Sequence, residues 1–541
     1  FGSRLYSMGP AIVRHGRGCA RGVVVVVVLL IPLVCNLLSQ QAGGSSRPGH
    51  RASRVYAFAS WRQLCRQRDP ITISSHLSSG PHGSQHILRS SVQMSATPAE
   101  IDAIKVAPDE MQQAIKIARS LRASWKLKEA VEVLGIVISS FPDDMLSNAN
   151  DAVGPGLKYA MMLRADWNLL MGNNNQCIED LRNILVHWPS DRDARIQLAH
   201  ALNDGKLDTE QALTVLGEVL DEGPQGAAGD IADISSYTWA AQDAGVFAAS
   251  LGKHDMAQQY FEMFRKHLCE FKPKRYKYVQ ICMKSSEQMK RYSQGVFYEM
   301  VNAIIIGDAE RAAAAAEFHK SMRLNEHPEL VWFRQVFTSS WEFILSTSVG
   351  KAPEPSLFYG TLTMLKLAMD AASLDGGLIL ELGVWHGSSL RMTASDWPDQ
   401  QVHGFDTFTG LPEAWGSPEK GGESVGAYST FGATPSDLPQ NVQLHAGLFS
   451  DTLPGFLETH PGPIRFMNVD CDLYSSTKDI FDQVSDRIVP GTVLVFDEYL
   501  MTPTWQDDEF KAFQEAVTKN GWTFEYVAIS IMSGQAIIRI T

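Results

Sequence analysis

The chain has 541 residues, 45% hydrophobic and 20% charged, which suits a globular protein with two or three separate cores. Its net charge of −13 is unevenly spread: residues 1–98 hold eleven Arg, no Lys and one acid, Asp69, while the remainder holds 36 basic and 59 acidic residues. So acidic a body argues against a nucleic-acid-binding surface, and seven scattered cysteines with no CxxC pair argue against a disulfide framework or a zinc site.

Near the start, a basic flank precedes the apolar run Val23–Cys35, which has the length of a signal-peptide core and is short for a membrane span. The Arg- and Ser-rich, acid-poor stretch after it has the composition of a transit peptide. Residues 1–100 are therefore expected to be a largely disordered targeting leader and linker. The pairing resembles signal-plus-transit leaders of the plastid type and implies an organelle address. The alternatives are the secretory pathway or a signal anchor, with membrane contact only if the apolar run is retained.

From 108 to 345 the pattern is helical. "YAMMLRADWNLLMGNNNQCIEDL" and "AGVFAASLGKHDMAQQYFEMF" each read as helix, Gly turn and helix, and "VNAIIIGDAERAAAAAEF" repeats the shape. Pro142 and Pro189 stand 47 apart, Pro224 is 35 further on, and Gly172 and Gly205 are 33 apart. These spacings bracket the tetratricopeptide period, so the segment resembles degenerate tetratricopeptide repeats. Such pairs must stack to bury their apolar faces, and the surface so formed suits a protein partner, self-association, or packing on a neighbouring domain.

"VGKAPEPSLF" breaks the pattern, and residues 356–541 change texture. Short apolar runs ("LILEL", "QVHGFD", "VQLHAG", "IRFMNVD", "TVLVFDEY", "TFEYVAI", "QAIIRI") alternate with helical stretches, which predicts an α/β, mostly parallel sheet with helices on both faces. Ligands of such sheets sit beyond the carboxyl ends of the strands. The first run ends "LELGVWHGSS", which lacks the GxGxxG of a dinucleotide site, and no GK[ST] marks a P-loop. An acid before the first Gly, Glu381, suits a ligand carrying an ammonium and a sulfonium. Asp406 follows Gly383 by 23 residues, where a ribose-binding acid sits in nucleotide-type sheets. Asp470, Asp472, Asp497 and Glu498 end two further strands and fall on one rim. Carboxylates so crowded call for a cation, and an all-oxygen set suits Mg²⁺ or another hard divalent ion. For Asp472, capping of the following helix is the competing role.

The segments "LELGVWHGSS", "GFDTFTGLPE", "VQLHAGLFSDTLP", "VDCDLYSSTKD" and "PGTVLVFDEY" occur in the order found in the macrocin O-methyltransferase-like family, and the last third of the chain resembles that family. The resemblance implies a Rossmann-like class I fold with a seven-stranded sheet and an S-adenosylmethionine-dependent methyltransferase. It implies a metal on Asp470, Asp497 and Glu498. Cofactor contacts would come from Glu381, Gly383, Gly387, Ser388, Asp406, Ser450, Asp451 and Asp470. The expected activity is metal-assisted O-methylation of a small hydroxylated acceptor of sugar, polyketide or phenolic type. The alternative is a helical-repeat interaction protein with a degenerate methyltransferase-like domain. The family's late His base has no counterpart, because no His follows His460; Asp470, Asp472 and Glu509 are the acids left to take a proton. Trp385, Phe408 and Trp415 are candidates for stacking on the adenine or closing the acceptor pocket.

Overall fold

The computed structural model describes residues 106–541 except 109, 142–152, 224–230, 271–285, 322–327, 353–356, 417–421 and 436–437. The leader expected over 1–100 lies outside the described residues, as do Pro142 and Pro224. No helix among the described residues is long and apolar enough to cross a membrane.

In helix α1 (Met111–Ala123), Met111, Ala114, Ile115 and Ala118 recur at helical spacing, and all four are buried. The same logic builds α2 (Leu127–Ser139), α3 (Val153–Leu170), α4 (Asn174–His187), α5 (Arg192–Lys206), α6 (Thr209–Asp221), α7 (Ile231–Ser250), α8 (His254–Glu270), α9 (Ser286–Ile305), α10 (Ala309–Ser321) and α11 (Pro328–Ser346). Asp191 and Asp208 cap α5 and α6 by accepting from the Ala194 and Gln211 amides.

Five consecutive hairpins, α1/α2 through α9/α10, are each joined by a tight turn with one residue at positive φ: Trp125, Gly172, Leu207, Gly252 and Gly307. At four of them the next amide reaches back five residues: Lys126 to Leu121, Asn173 to Asn168, Lys253 to Ala248 and Asp308 to Ala303, at 2.8–2.9 Å. This is the Schellman closure, which satisfies carbonyls left open at a helix end. Gly205, which marks the repeat spacing, lies inside α5. Leu207 takes the left-handed position in this turn, at a cost of about 1–2 kcal/mol for a residue with a Cβ; it packs against the core that α12 and α13 form with the sheet, described below. Within the array, Glu299 is fully buried and both its oxygens accept from the one Arg265 Nε–H, at 2.9 Å; burial lifts its carboxyl to about 7.

After α12 (Thr361–Ala371) come β1 (Leu378–Leu382), α13 (Ser388–Asp396), β2 (Val402–Asp406), β3 (Val442–Ala446), α14 (Phe449–Thr459), β4 (Ile464–Val469), α15 (Tyr474–Val484), β5 (Val493–Phe496), α16 (Glu509–Asn520), β6 (Phe524–Ile529) and β7 (Ala536–Ile540). They form one seven-stranded sheet in the order β3-β2-β1-β4-β5-β7-β6. The first five strands are parallel, and β7 runs antiparallel to both neighbours. Alternate residues serve opposite faces. Ile379, Phe466, Val493, Val495 and Ile537 join one core with α12 and α13. Leu380, Met467, Leu494, Phe496 and Ile538 join a second, which continues without a break into the helical array. The order reverses at β1, between β2 and β4, so the loops after these three strands share one crevice.

At the β2–β3 edge, His403 is buried with its Nδ1 3.2 Å from His445 Nε2, and His460 packs on the same ring. Burial, with the two neighbouring imidazoles, lowers His403 to about 4.

Candidate active site

The crevice is a cavity of about 320 Å³. One wall is the loop from Gly383 to Gly387, and its shape follows from contacts only glycine permits. Gly383 has φ +100°, and a Cβ there would stand 1.7 Å from the Asp470 carbonyl oxygen. The loop therefore lies directly on the end of β4. Asp406 fastens it from the other side: Oδ2 accepts from the Val384 and Trp385 amides and Oδ1 from that of Phe408, at 2.7–2.8 Å. Asp406 lines the cavity, and it also sets the backbone of the Gly383–Gly387 loop.

Glu381 is placed differently from the expectation. It is 1% exposed and absent from the cavity wall, and it accepts from Ser389 Oγ at 2.9 Å and Asn468 Nδ2 at 3.4 Å. The side chain points into the sheet, clasping β1 to the first turn of α13 and to β4. Ser450 and Asp451 are exposed in the first turn of α14 and lie outside the wall, where Gly447, Leu448 and Phe449 stand instead. Gly387 and Ser388 line it as expected.

All four acids of the rim line the cavity. Asp470, Asp472 and Glu498 can each bring one oxygen within 4.8 Å of the others. Asp497 is drawn aside, with Oδ1 accepting from Gln535 Nε2 of the β6–β7 turn at 2.5 Å. The gathered trio therefore has Asp472 where the resemblance implied Asp497. Asp472 does not cap α15; Leu473 holds the cap position, with no side-chain bond. Asp472 has φ +63°, a conformation costly for a residue with a Cβ, which turns the chain back onto the rim.

Glu498 is 8% exposed, and its Oε2 is buried without a hydrogen-bond partner. Burial, then Asp497, Asp472, Asp470 and Glu509, push its carboxyl well above the usual range. Glu509 is fully buried behind the rim and outside the cavity wall, accepting from the Cys471 and Glu498 amides. Burial and the facing Asp472 and Asp497 raise it likewise. It buttresses the rim and does not reach an acceptor, so its expected role as a base is not supported by its position. An orphaned buried oxygen amid an all-oxygen donor set is what a hard divalent cation would satisfy.

Of the aromatic candidates, only Trp385 lines the cavity, at φ +49° and edge-on to Tyr428 at 6.2 Å. Phe408 and Trp415 are core residues, and Trp415 Nε1 donates to Asp508 at 3.1 Å.

The helical array completes the cavity, which nothing in the motifs signals. Leu170, at the end of α3, is part of the wall. Gly172 abuts Ser388, so closely that a Cβ would lie 2.9 Å from its hydroxyl. Arg391 Nη1 donates to both the Met171 and His386 carbonyls, at 3.0 and 2.8 Å. Trp125 packs on Tyr428 at 5.3 Å, and Tyr428 lines the cavity. At the far end, Ser339 and Ser340 of α11 accept from Trp505 and the Met501 amide.

Residues 380–499 match the family model of a methyltransferase domain. Over 177 residues the chain is 28% identical to the 8-demethyl-8-(2,3-dimethoxy-alpha-L-rhamnosyl)-tetracenomycin-C 4'-O-methyltransferase of Streptomyces olivaceus, covering 29% of this chain and 64% of that protein. Over 157 residues it is 27% identical to the demethyldecarbamoylnovobiocin O-methyltransferase of Streptomyces niveus, covering 25% and 58% respectively. The chain thus spans less than two thirds of the length of these curated relatives. Among solved structures, the O-methyltransferase NovP is similar at 20% identity, covering 38% of this chain and 99% of that one with a TM-score of 0.27. The calicheamicin methyltransferase CalS11 is similar at 22% identity, covering 38% and 92%, with a TM-score of 0.26. The family match falls on the strands and loops that build the cavity, and the C-terminal third of this chain carries a methyltransferase domain.

Proposed function

We propose that the protein transfers a methyl group from S-adenosylmethionine to a hydroxyl of a small molecule of sugar, polyketide or phenolic type, with a divalent cation assisting. The observation that carries this reading is the buried, unpartnered Glu498 oxygen on an acidic rim beside the Gly383 loop. The loop Gly383–Ser388 and Asp406 would hold S-adenosylmethionine, whose sulfonium supplies an activated methyl. Asp470, Asp472 and Glu498 would hold Mg²⁺, which lowers the pKa of a bound hydroxyl.

The chain's own work is positional. Asp406 fixes the loop before any ligand arrives, so the ordering cost is met in folding, and alignment of this kind is worth about 7–11 kcal/mol in a bimolecular transfer. Leu170, Trp385 and Tyr428 narrow the approach and exclude water. As the carbon–oxygen bond forms and the carbon–sulfur bond breaks, the hydroxyl proton passes to the rim, with Asp472 as our choice of acceptor. Calorimetric titration of the full chain with S-adenosylmethionine and then MgCl2 tests this. Both are expected to bind wild type, with Mg²⁺ binding lost in Asp472→Ala; failure of the cofactor to bind would sink the reading.

A further inference from the structure

The cavity also bears on the charge of the acceptor. Carboxylates line it at two depths. Asp470, Asp472 and Glu498 form the floor, while Glu413 and Asp479 are exposed at the mouth. Among the described residues of the wall there is no Lys or Arg. The cations on adjoining elements have other engagements. Arg391 is spent on the Met171 and His386 carbonyls. Lys478 pairs with Asp482, Lys126 lies over Phe431, and Lys511 over Tyr474. The start of α15 brings a positive helix end to the mouth, yet Glu413 already accepts the Ser475 hydroxyl there at 2.6 Å, and Asp479 stands on the same helix. A divalent ion and a cofactor of net charge +1 would offset no more than the three floor acids, and the wall also carries Asp406 and Asp497, so nothing of that charge is left over for Glu413 and Asp479.

We propose that the acceptor is a hydroxylated molecule that is neutral or amine-bearing, carrying no phosphate or carboxylate, and that Glu413 and Asp479 set this preference by facing its outer end. The proposal rests on the methyltransferase reading above. It follows from like-charge exclusion at a mouth where the described residues include no Lys or Arg, the usual means by which a site rejects a wrong partner.

The test uses the full chain loaded with S-adenosylhomocysteine and Mg²⁺, with binding read by saturation-transfer NMR. The probes are two matched sets: dopamine, 4-methylcatechol and 3,4-dihydroxyphenylacetate; glucosamine, glucose and glucose 6-phosphate. The same compounds are offered with S-adenosylmethionine, and release of S-adenosylhomocysteine is followed. Amine and neutral members are expected to outperform their anionic counterparts by about ten-fold or more, and the double variant Glu413→Lys, Asp479→Lys to shift that ratio toward the anions by a similar factor. Equal or better performance of the anionic members in wild type, or an unchanged ratio in the variant, overturns the proposal and leaves the methyltransferase reading standing. Failure of S-adenosylhomocysteine itself to bind overturns both.

Discussion

Replacing Glu498 with Gln keeps the side chain's volume and removes one carboxylate from the rim. In the metal-free protein, burial and four neighbouring acids hold this carboxyl well above its ordinary 4.5. The folded state therefore binds more protons than the unfolded one, and stability falls as pH rises from about 4.5 through the raised folded-state value. At neutral pH the amide is expected to raise the melting temperature of the metal-free chain. With Mg²⁺ the order should reverse. A cation at one hundred times its Kd stabilises by about 2.7 kcal/mol. For a unit of this size each kcal/mol is worth about 2–4 °C, so wild type should gain about 5–11 °C and the variant almost nothing. Calorimetry with chelator or MgCl2 at acid and neutral pH reads all four states. A variant that keeps the full Mg²⁺ shift, or melts below wild type in chelator, would refute the account of the rim.

Four further outcomes are expected. Gly383→Ala would force a Cβ against the Asp470 carbonyl, 1.7 Å away before relaxation, and should abolish S-adenosylmethionine binding in calorimetry while lowering the melting temperature. Arg265→Ala would strand the buried Glu299 carboxylate and should cost about 3–5 kcal/mol in urea unfolding, largely recovered in Arg265→Ala combined with Glu299→Gln. Because His403 is depressed to about 4, the folded state binds fewer protons, and stability should fall as pH drops from 6.5 toward 4; His403→Phe should flatten that part of a melting-temperature profile. Leu170→Trp fills part of the cavity wall from the helical array and should weaken S-adenosylhomocysteine or acceptor binding, at a cost of about 1–3 kcal/mol for overpacking a buried position; unaltered binding of both would place Leu170 outside the working site.

What the amino-acid order made readable was periodicity and spacing. Seven apolar runs became seven strands because each is short and flanked by turns, with the central ones buried on both faces, and the ends of β4 and β5 carried the acids to one rim. Side-chain direction was not readable. Glu381 pairs with Gly404, one residue before β1 ends, and Asp406 closes β2 two positions further along; one points into the sheet and the other toward the loop. Asp472 looked like a helix cap because its left-handed backbone has no mark in the sequence; the same holds for the left-handed Leu207. Leu170 was invisible for another reason: it meets the Gly383 loop across more than two hundred residues of chain, a contact that no local pattern encodes.

Arg391 joins the two halves of the molecule by gripping two main-chain carbonyls, Met171 and His386, and beside it the backbone of Gly172 rests on Ser388. Neither partner carbonyl belongs to a side chain. Such a coupling is indifferent to most substitutions in the turn between α3 and α4, but it is intolerant of any change in that turn's length. The array can therefore drift in sequence, or gain and lose hairpins at its distal end, while the second turn stays locked to the Gly383–Ser388 loop. Variation among related proteins should accordingly appear as substitutions in this turn and as insertions everywhere but there.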